Sequence, residues 1–129
     1  MIPADFQHKI ENFLKPNRTI VAAYLFGSAA TGRERPHSDI DLALMIRGSI
    51  DGFERVELET ALSNLLGKEV DLVIFSQASP LLQHQILKYG RLLYEADTGE
   101  RVRQEVAARW QYLDSQFLYK VIEEDESHG

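Results

Sequence analysis

The feature that most constrains this chain is a pair of aspartates, Asp39 and Asp41, at the start of an apolar segment. Residues 20–26 and 39–46 form two short, largely apolar runs, which predict two β-strands joined by a polar loop. Because side chains alternate along a strand, the two aspartates point to one face while every second residue from Ile40 points to the other. Neighbouring carboxylates repel each other, so this pair favours a divalent cation, and sparse oxygen ligands suit Mg²⁺, with Mn²⁺ as the substitute.

The first strand ends at Gly27 and Ser28, with ten residues between this dipeptide and the aspartates. Glycine lets the backbone approach a ligand closely. Ser28 places a hydroxyl and an amide at the start of a turn or short helix, where phosphate binds well. Arg33 and Arg35 lie in the intervening loop, where they either reach a bound triphosphate or are simply solvated.

A third aspartate, Asp71, interrupts the apolar run 70–75. Alternation places it on the same face as Val73 and Phe75. A buried aspartate is costly unless it is paired or bound to a metal, although an aspartate near a strand end can also reach solvent. Next to the first two aspartates, Asp71 favours the metal-site interpretation.

The combination of Gly27-Ser28, ten residues, Asp39-x-Asp41 and a later strand aspartate resembles the signature of the DNA polymerase β-like nucleotidyltransferases. A chain of 129 residues is similar to their minimal members, the MNT-domain antitoxins that are encoded beside HEPN-domain toxins. The resemblance implies a polymerase β-like nucleotidyltransferase fold. It also implies two groups of site residues: catalytic and metal-binding Asp39, Asp41 and Asp71, and nucleotide-binding Gly27, Ser28, Arg33 and Arg35.

The same resemblance implies a reaction and a partner. MNT antitoxins transfer AMP from ATP, with Mg²⁺, to a tyrosine hydroxyl of the cognate HEPN ribonuclease toxin and thereby silence it. Two other functions remain open: a non-catalytic antitoxin that covers its toxin, and a nucleotidyltransferase that acts on a small molecule. ATP is the expected substrate, and the toxin is expected to be both substrate and complex partner.

Composition restricts the class further. The chain contains no cysteine, so disulfides and thiolate metal sites are excluded, and a reducing cytoplasm is the expected location. The resemblance to the MNT antitoxins implies that this cytoplasm is prokaryotic. No apolar run approaches the length of a membrane span, and the first residues lack the pattern of a secretory signal. A formal net charge of −6 disfavours direct binding to nucleic acid.

Apolar periodicity and turn residues predict alternating helices and strands along the chain. Helices are predicted over 4–15, 52–66, 80–89 and 98–124, and strands over 20–26, 39–46, 70–75 and 91–95. This order predicts a single α/β domain, with a core over about 18–95, a small mixed sheet, helices packed on one face and the acids on the other. The predicted inward residues of the two middle helices are Leu58, Leu62, Leu65 and Leu66, then Leu81, Leu82, Gln85, Ile86 and Tyr89.

The C-terminal helix carries more apolar residues than one buried face needs. Its main stripe, at helical spacing, consists of Val102, Val106, Trp110, Leu113, Phe117 and Val121. Additional apolar residues lie off this stripe: Tyr112, Leu118, Tyr119 and Ile122. We expect the additional residues to contact a partner or a second copy of the chain, with extra core packing as the alternative.

Overall fold

The computed structural model describes residues 4–27 and 40–128, with the side chains of the last helix described as far as Leu118 and at Lys120. Four strands form one sheet in the order β3-β2-β1-β4. Their bounds are β1 Ile20–Phe26, β2 Ile40–Ile46, β3 Val70–Ile74 and β4 Arg91–Glu95. β1 is antiparallel to both β2 and β4, whereas β2 and β3 are parallel. The predicted mixed sheet and its strands are confirmed.

The described α-helices are α1 Ala4–Leu14, α2 Gly52–Leu66, α3 Pro80–Tyr89 and α4 Thr98–His128. Side chains cap the first turns of α2 and α3. Asp51 Oδ1 accepts a hydrogen bond from the Glu54 amide at 2.8 Å, and Ser79 Oγ accepts one from the Leu82 amide at 3.1 Å. Gly67 ends α2 with a φ of 67°, a conformation that glycine adopts without steric cost.

Helices cover both faces of the sheet, and the expectation that they pack on one face is wrong. α1 and α2 pack on one face through the buried residues Ile10, Leu14, Leu62 and Leu66. α3 and α4 pack on the other through Ile86 and Ala108. The reason is visible in β1, where the first six consecutive residues are buried, because a strand that is apolar on both faces needs cover on both.

The two middle helices turn partly different residues inward from those predicted. In α2, Leu62 and Leu66 are buried as expected, but Leu65 is exposed. In α3, the buried residues are Gln83 and Ile86, with Leu82 and Leu87 packed against them, whereas Leu81, Gln85 and Tyr89 are exposed. Gln83 lies inside because its side-chain amide donates a 2.7 Å hydrogen bond to the Phe75 carbonyl.

α4 is oriented opposite to the arrangement that its apolar periodicity suggests. The residues that it turns toward the rest of the domain are buried or half-buried: Arg101, Gln104, Glu105, Ala108 and Tyr112. The five described residues of its main apolar stripe, which we call the α4 stripe, are all exposed: Val102, Val106, Trp110, Leu113 and Phe117. Although α4 runs for 31 residues, no helix in the described part of the chain is long and apolar enough to cross a membrane.

Polar contacts hold the inner face of α4 on the sheet. The Tyr24 hydroxyl donates a 2.6 Å hydrogen bond to Glu105, which also lies 3.0 Å from the Arg101 guanidinium. Arg101 in turn contacts Glu95 at 2.7 Å, and the Gln104 side chain donates to the Ile46 carbonyl at 3.0 Å. Burial and the neighbouring Glu105 raise the pKa of Tyr24 above its ordinary value, so its hydroxyl remains a donor.

Two apolar contacts complete the attachment of α4. Ala108 is small enough to let the helix approach the sheet, and it is buried among the residues of the α3–α4 face. Further along, the ring of Tyr112 stacks on His84 of α3, with ring centroids 3.8 Å apart. Tyr112 is therefore half-buried against α3, and the prediction that it belongs to an outward contact surface is wrong. Tyr119 and Ile122 of that surface lie outside the described side chains, and Leu118 is exposed.

The orientation of α4 can be tested with two adjacent alanines. Ala108→Leu should lower the free energy of unfolding by about 1–3 kcal/mol, because the larger side chain has no room at a buried contact. Ala107→Leu adds the same atoms at an exposed position and should change stability by no more than about 0.5 kcal/mol. Urea denaturation measures both, and equal effects at the two positions would contradict the described orientation.

Candidate functional site

Two of the predicted aspartates lie side by side at one end of the sheet. In the parallel register of β2 and β3, Asp41 pairs directly with Asp71. On its other side, Asp41 pairs with Phe26, the last residue of β1. Because residues in register on neighbouring strands project from the same face about 4.8 Å apart, the structure brings the two carboxylates together as the sequence predicted.

The shared face is the one that α3 and α4 cover. Asp41 lies on the same face of β2 as Ala43 and Met45, which are two and four residues further along the strand. Both of these residues pack in the apolar cluster that includes Ile86 of α3 and Ala108 of α4. The expectation that the acids lie on a face without helices is therefore wrong. The acids occupy the rim of this face, where Asp41 is half-buried and Asp71 is exposed.

The sequence left two interpretations of Asp71 open, a metal ligand or a solvent-exposed acid near a strand end, and its position in the structure is compatible with both. It reaches solvent, as an aspartate near a strand end commonly does, since it is the second residue of β3. It also lies in register with Asp41, so its exposure makes it available to a ligand that binds at this rim. The neighbouring Val70 and Leu72 are buried on the opposite face, in the cluster formed with α1 and α2.

Gly27 has a steric role that sequence reasoning missed. Its φ of +72° lies in the left-handed region, and a Cβ built on it would overlap Asp41 Oδ2 and lie 3.2 Å from Asp41 Cγ. The absence of a side chain at Gly27 therefore leaves the space that the Asp41 carboxylate occupies. The positions of Gly27 and Asp41 in the sequence could not reveal this contact, because it depends on the antiparallel pairing of β1 with β2.

The other predicted site residues lie outside the described residues: Ser28, Arg33, Arg35 and Asp39. Their roles stay predictions. Within residues 4–27 and 40–128, no three His, Cys, Asp or Glu side chains are grouped so as to hold a metal ion. The described part of the site is therefore a carboxylate pair, Asp41 and Asp71, with Gly27 packed against one of them.

The carboxylate pair lies within the part of the chain that matches a known protein family. The polymerase beta nucleotidyltransferase family matches residues 8–99, which contain all four strands and both described aspartates. The chain belongs to this family. Its fold of a small mixed sheet with flanking helices and a long C-terminal helix is confirmed as a nucleotidyltransferase fold.

One relative of known activity is similar to this chain over most of its length. The chain is 35% identical over 89 residues to the protein adenylyltransferase MntA of Shewanella oneidensis. This alignment covers 68% of the chain and 64% of the relative's own length. The predicted resemblance to the MNT antitoxins is confirmed.

Two solved structures are similar over nearly the whole chain. One is a toxin–antitoxin structure with AMP-PNP, with a TM-score of 0.80 and 30% identity, covering 94% of this chain and 98% of that one. The other is a tri-AMPylated Shewanella oneidensis HEPN toxin in complex with an MNT antitoxin. Its TM-score is 0.75 at 28% identity, and it covers 95% of this chain and 96% of that one.

The contact between Gly27 and Asp41 can be tested with a matched pair of glycines. Gly27→Ala and Gly48→Ala both place a side chain at a left-handed residue, with φ of +72° and +71°, so each should cost about 1–2 kcal/mol of stability. Only at Gly27 does the new methyl group collide with a carboxylate, because nothing lies within 4 Å at Gly48.

We therefore expect Gly27→Ala to weaken the binding of Mg²⁺-ATP by about tenfold or more, since a displaced carboxylate no longer meets its ligand. Gly48→Ala should leave this affinity unchanged. Isothermal titration calorimetry on the two folded variants makes the comparison. Equal affinities would mean that the position of the Asp41 carboxylate does not matter for binding.

Proposed function

We propose that this chain is an antitoxin that transfers AMP from ATP to a tyrosine hydroxyl of a cognate HEPN ribonuclease toxin. The observation that carries the proposal is the carboxylate pair Asp41–Asp71 at the rim of a nucleotidyltransferase sheet. The names of the relatives support the same function, since one is a protein adenylyltransferase and another was solved with an AMPylated HEPN toxin. We also propose that the chain acts in the cytoplasm of a prokaryote, as the absence of cysteine and the resemblance to MNT antitoxins led us to expect.

The donor atoms of the site fit Mg²⁺ or Mn²⁺. Asp41 and Asp71 offer carboxylate oxygens from adjacent strands, and Asp39 is the expected third ligand. When bound, the metal ions neutralise charge on the triphosphate and lower the pKa of the attacking hydroxyl. Clustering the ligands on adjacent strands also gives the site a rigid base.

The reaction forms one phosphoester bond and breaks one phosphoanhydride bond. The tyrosine oxygen attacks the α-phosphorus of ATP, and pyrophosphate leaves from the opposite side with the electrons of the broken bond. The proton of the tyrosine hydroxyl passes to Asp71, whose carboxylate is exposed at the rim, or to solvent. Gly27 keeps space for the Asp41 carboxylate, and Ser28 supplies a hydroxyl and an amide for the β- and γ-phosphates.

The acceptor in this proposal is a protein because of what the similar proteins act on. One relative is a protein adenylyltransferase, and a similar structure holds an AMPylated HEPN toxin. Beyond the family match, which ends at residue 99, the described residues belong almost entirely to α4. A helix of this kind offers a surface that a macromolecular acceptor can contact.

The first test separates an enzyme from an antitoxin that only covers its target. With ATP and Mg²⁺, a small amount of this chain should inactivate a large molar excess of the cognate HEPN toxin, because an enzyme turns over. The toxin mass should rise by whole AMP units, and the toxin should stay inactive after this chain is removed. Inhibition that needs equal amounts, ignores ATP and leaves the mass unchanged would refute the enzymatic proposal.

The second test assigns the chemistry to the carboxylate pair. Asp41→Asn should reduce AMP transfer by about 10²-fold or more, because the amide is a poor ligand and positioning is lost. The variant should remain folded, since asparagine has the size of aspartate and the position is only half-buried. Asp51→Asn makes the same change of charge at the start of α2, where asparagine caps a helix as well as aspartate does. Intact mass spectrometry of the toxin should distinguish the two variants, and equal transfer by both would remove Asp41 from the mechanism.

A further inference from the structure

We infer that the α4 stripe is the surface on which this chain docks its toxin, an inference that rests on the proposed function. The α4 stripe is formed by Val102, Val106, Trp110, Leu113 and Phe117, and it extends for about 22 Å along the helix. Its two aromatic side chains, Trp110 and Phe117, are 65% and 67% exposed. Each presents roughly 100–160 Å² to solvent, which is the kind of anchor that dominates protein interfaces.

None of the five residues of the α4 stripe belongs to either apolar cluster of the described residues. At 100° per residue, it is centred roughly 140° around the helix from the inner face that contains Arg101, Glu105 and Ala108. That inner face is held by the contacts of Tyr24 and Glu95 to α4 and by the packing of Ala108, and none of these contacts involves the α4 stripe. A contiguous exposed apolar surface that includes two aromatic side chains is typical of interaction sites.

The composition around the α4 stripe matches the anatomy of a protein interface. Arg103 and Arg109 lie along its two sides on the helix, and both side chains are largely exposed. An apolar centre with aromatic residues and a polar rim that includes arginine is typical of protein–protein contacts. The helices on the other face of the sheet, α1 and α2, show no comparable surface in the residues that the structure describes. Among these residues, Phe53 of α2 is the single strongly exposed aromatic.

The choice of a toxin as occupant comes from which relatives share α4. The family match ends at residue 99, so the nucleotidyltransferase core does not include the α4 stripe. The toxin–antitoxin structure with AMP-PNP covers 94% of the chain, and the remaining 6% of 129 residues is about eight residues. Because α4 has 31 residues, that match must contain most of it. α4 is therefore an addition to the core that this chain shares with antitoxin chains solved in toxin complexes.

Phe117 and Phe53 form a matched pair for the experiment. Both are strongly exposed, at 67% and 72%, so replacing either by serine removes an aromatic ring without opening the core. Phe117→Ser lies in the α4 stripe, whereas Phe53→Ser lies on α2, which packs on the opposite face of the sheet. The probe is the HEPN toxin that this chain is proposed to modify, and the readouts are its Kd, AMP transfer and the oligomeric state of this chain alone.

We expect Phe117→Ser to raise the Kd for the toxin by about tenfold or more and to raise the KM for toxin in AMP transfer by a similar factor. The affinity for Mg²⁺-ATP should not change. Phe53→Ser should match the wild type in every readout, and a second variant, Trp110→Ser, should reproduce the effect of Phe117→Ser.

Three results would overturn the inference. Phe117→Ser could bind the toxin as tightly as the wild type does, or binding could weaken equally in Phe117→Ser and Phe53→Ser. The wild-type chain alone could also form a dimer that Phe117→Ser dissociates, which would make a second copy the occupant. The proposed function fails separately, since a complex that depends on Phe117 but adds no AMP would support docking and refute the enzymatic role.

Discussion

The structure depends on one costly juxtaposition, the placement of Asp41 beside Asp71 on adjacent parallel strands. Two like charges in register destabilise a sheet unless a cation or another partner compensates for them. The domain places this pair at the rim, where Asp71 is in solvent and Asp41 is only half-buried. Gly27, at the end of the neighbouring strand, leaves room for the Asp41 carboxylate. Three strands thus contribute to one arrangement, and moving any of them by one residue would separate its members.

The apolar character of β1 and β2 explains how the rest of the domain supports that rim. Nearly every residue of both strands is buried, so the sheet requires helices on both faces. α1 and α2 supply one cover, and α3 with the first half of α4 supplies the other. The acids consequently lie at the edge of a covered face, next to low-dielectric packing that strengthens electrostatic interactions with a charged ligand.

α4 divides its two faces between fold and function. Its inner face uses Tyr24, Glu105 and Arg101 in mutual contact, so charged groups are paired where the helix meets the sheet. Its outer face keeps apolar residues that the fold does not need. A partner that buries the outer face would gain the hydrophobic free energy that the isolated domain leaves unused. This division makes the proposed site a shared one, with the carboxylates in one chain and the acceptor tyrosine in another.

The sequence by itself determined most of the helices and strands, and it singled out the two carboxylates of the candidate site that the structure describes. Local signals placed most strand and helix bounds to within one residue, because capping by Asp51 and Ser79 involves only near neighbours. The exception is α4, which was predicted to end at residue 124 and extends to His128. Alternation predicted which neighbours share a face with Asp41 and with Asp71 inside their own strands. The register of β2 with β3 then put the two acids on one face of the sheet. Gly27 and Asp41 were singled out by spacing, although their contact was not foreseen.

Only the tertiary structure decided which faces meet. A helical pattern defines an apolar stripe but does not say whether that stripe points to the core, and in α4 it points to solvent because long-range polar contacts hold the other side. In α3, the inward position of Gln83 depends on a carbonyl at Phe75 that the helix periodicity does not contain. Whether the face that carries the acids is covered by helices was likewise decided by the packing of α3 and α4 on the sheet. These outcomes depend on contacts between residues far apart in the chain, and local periodicity carries no information about them.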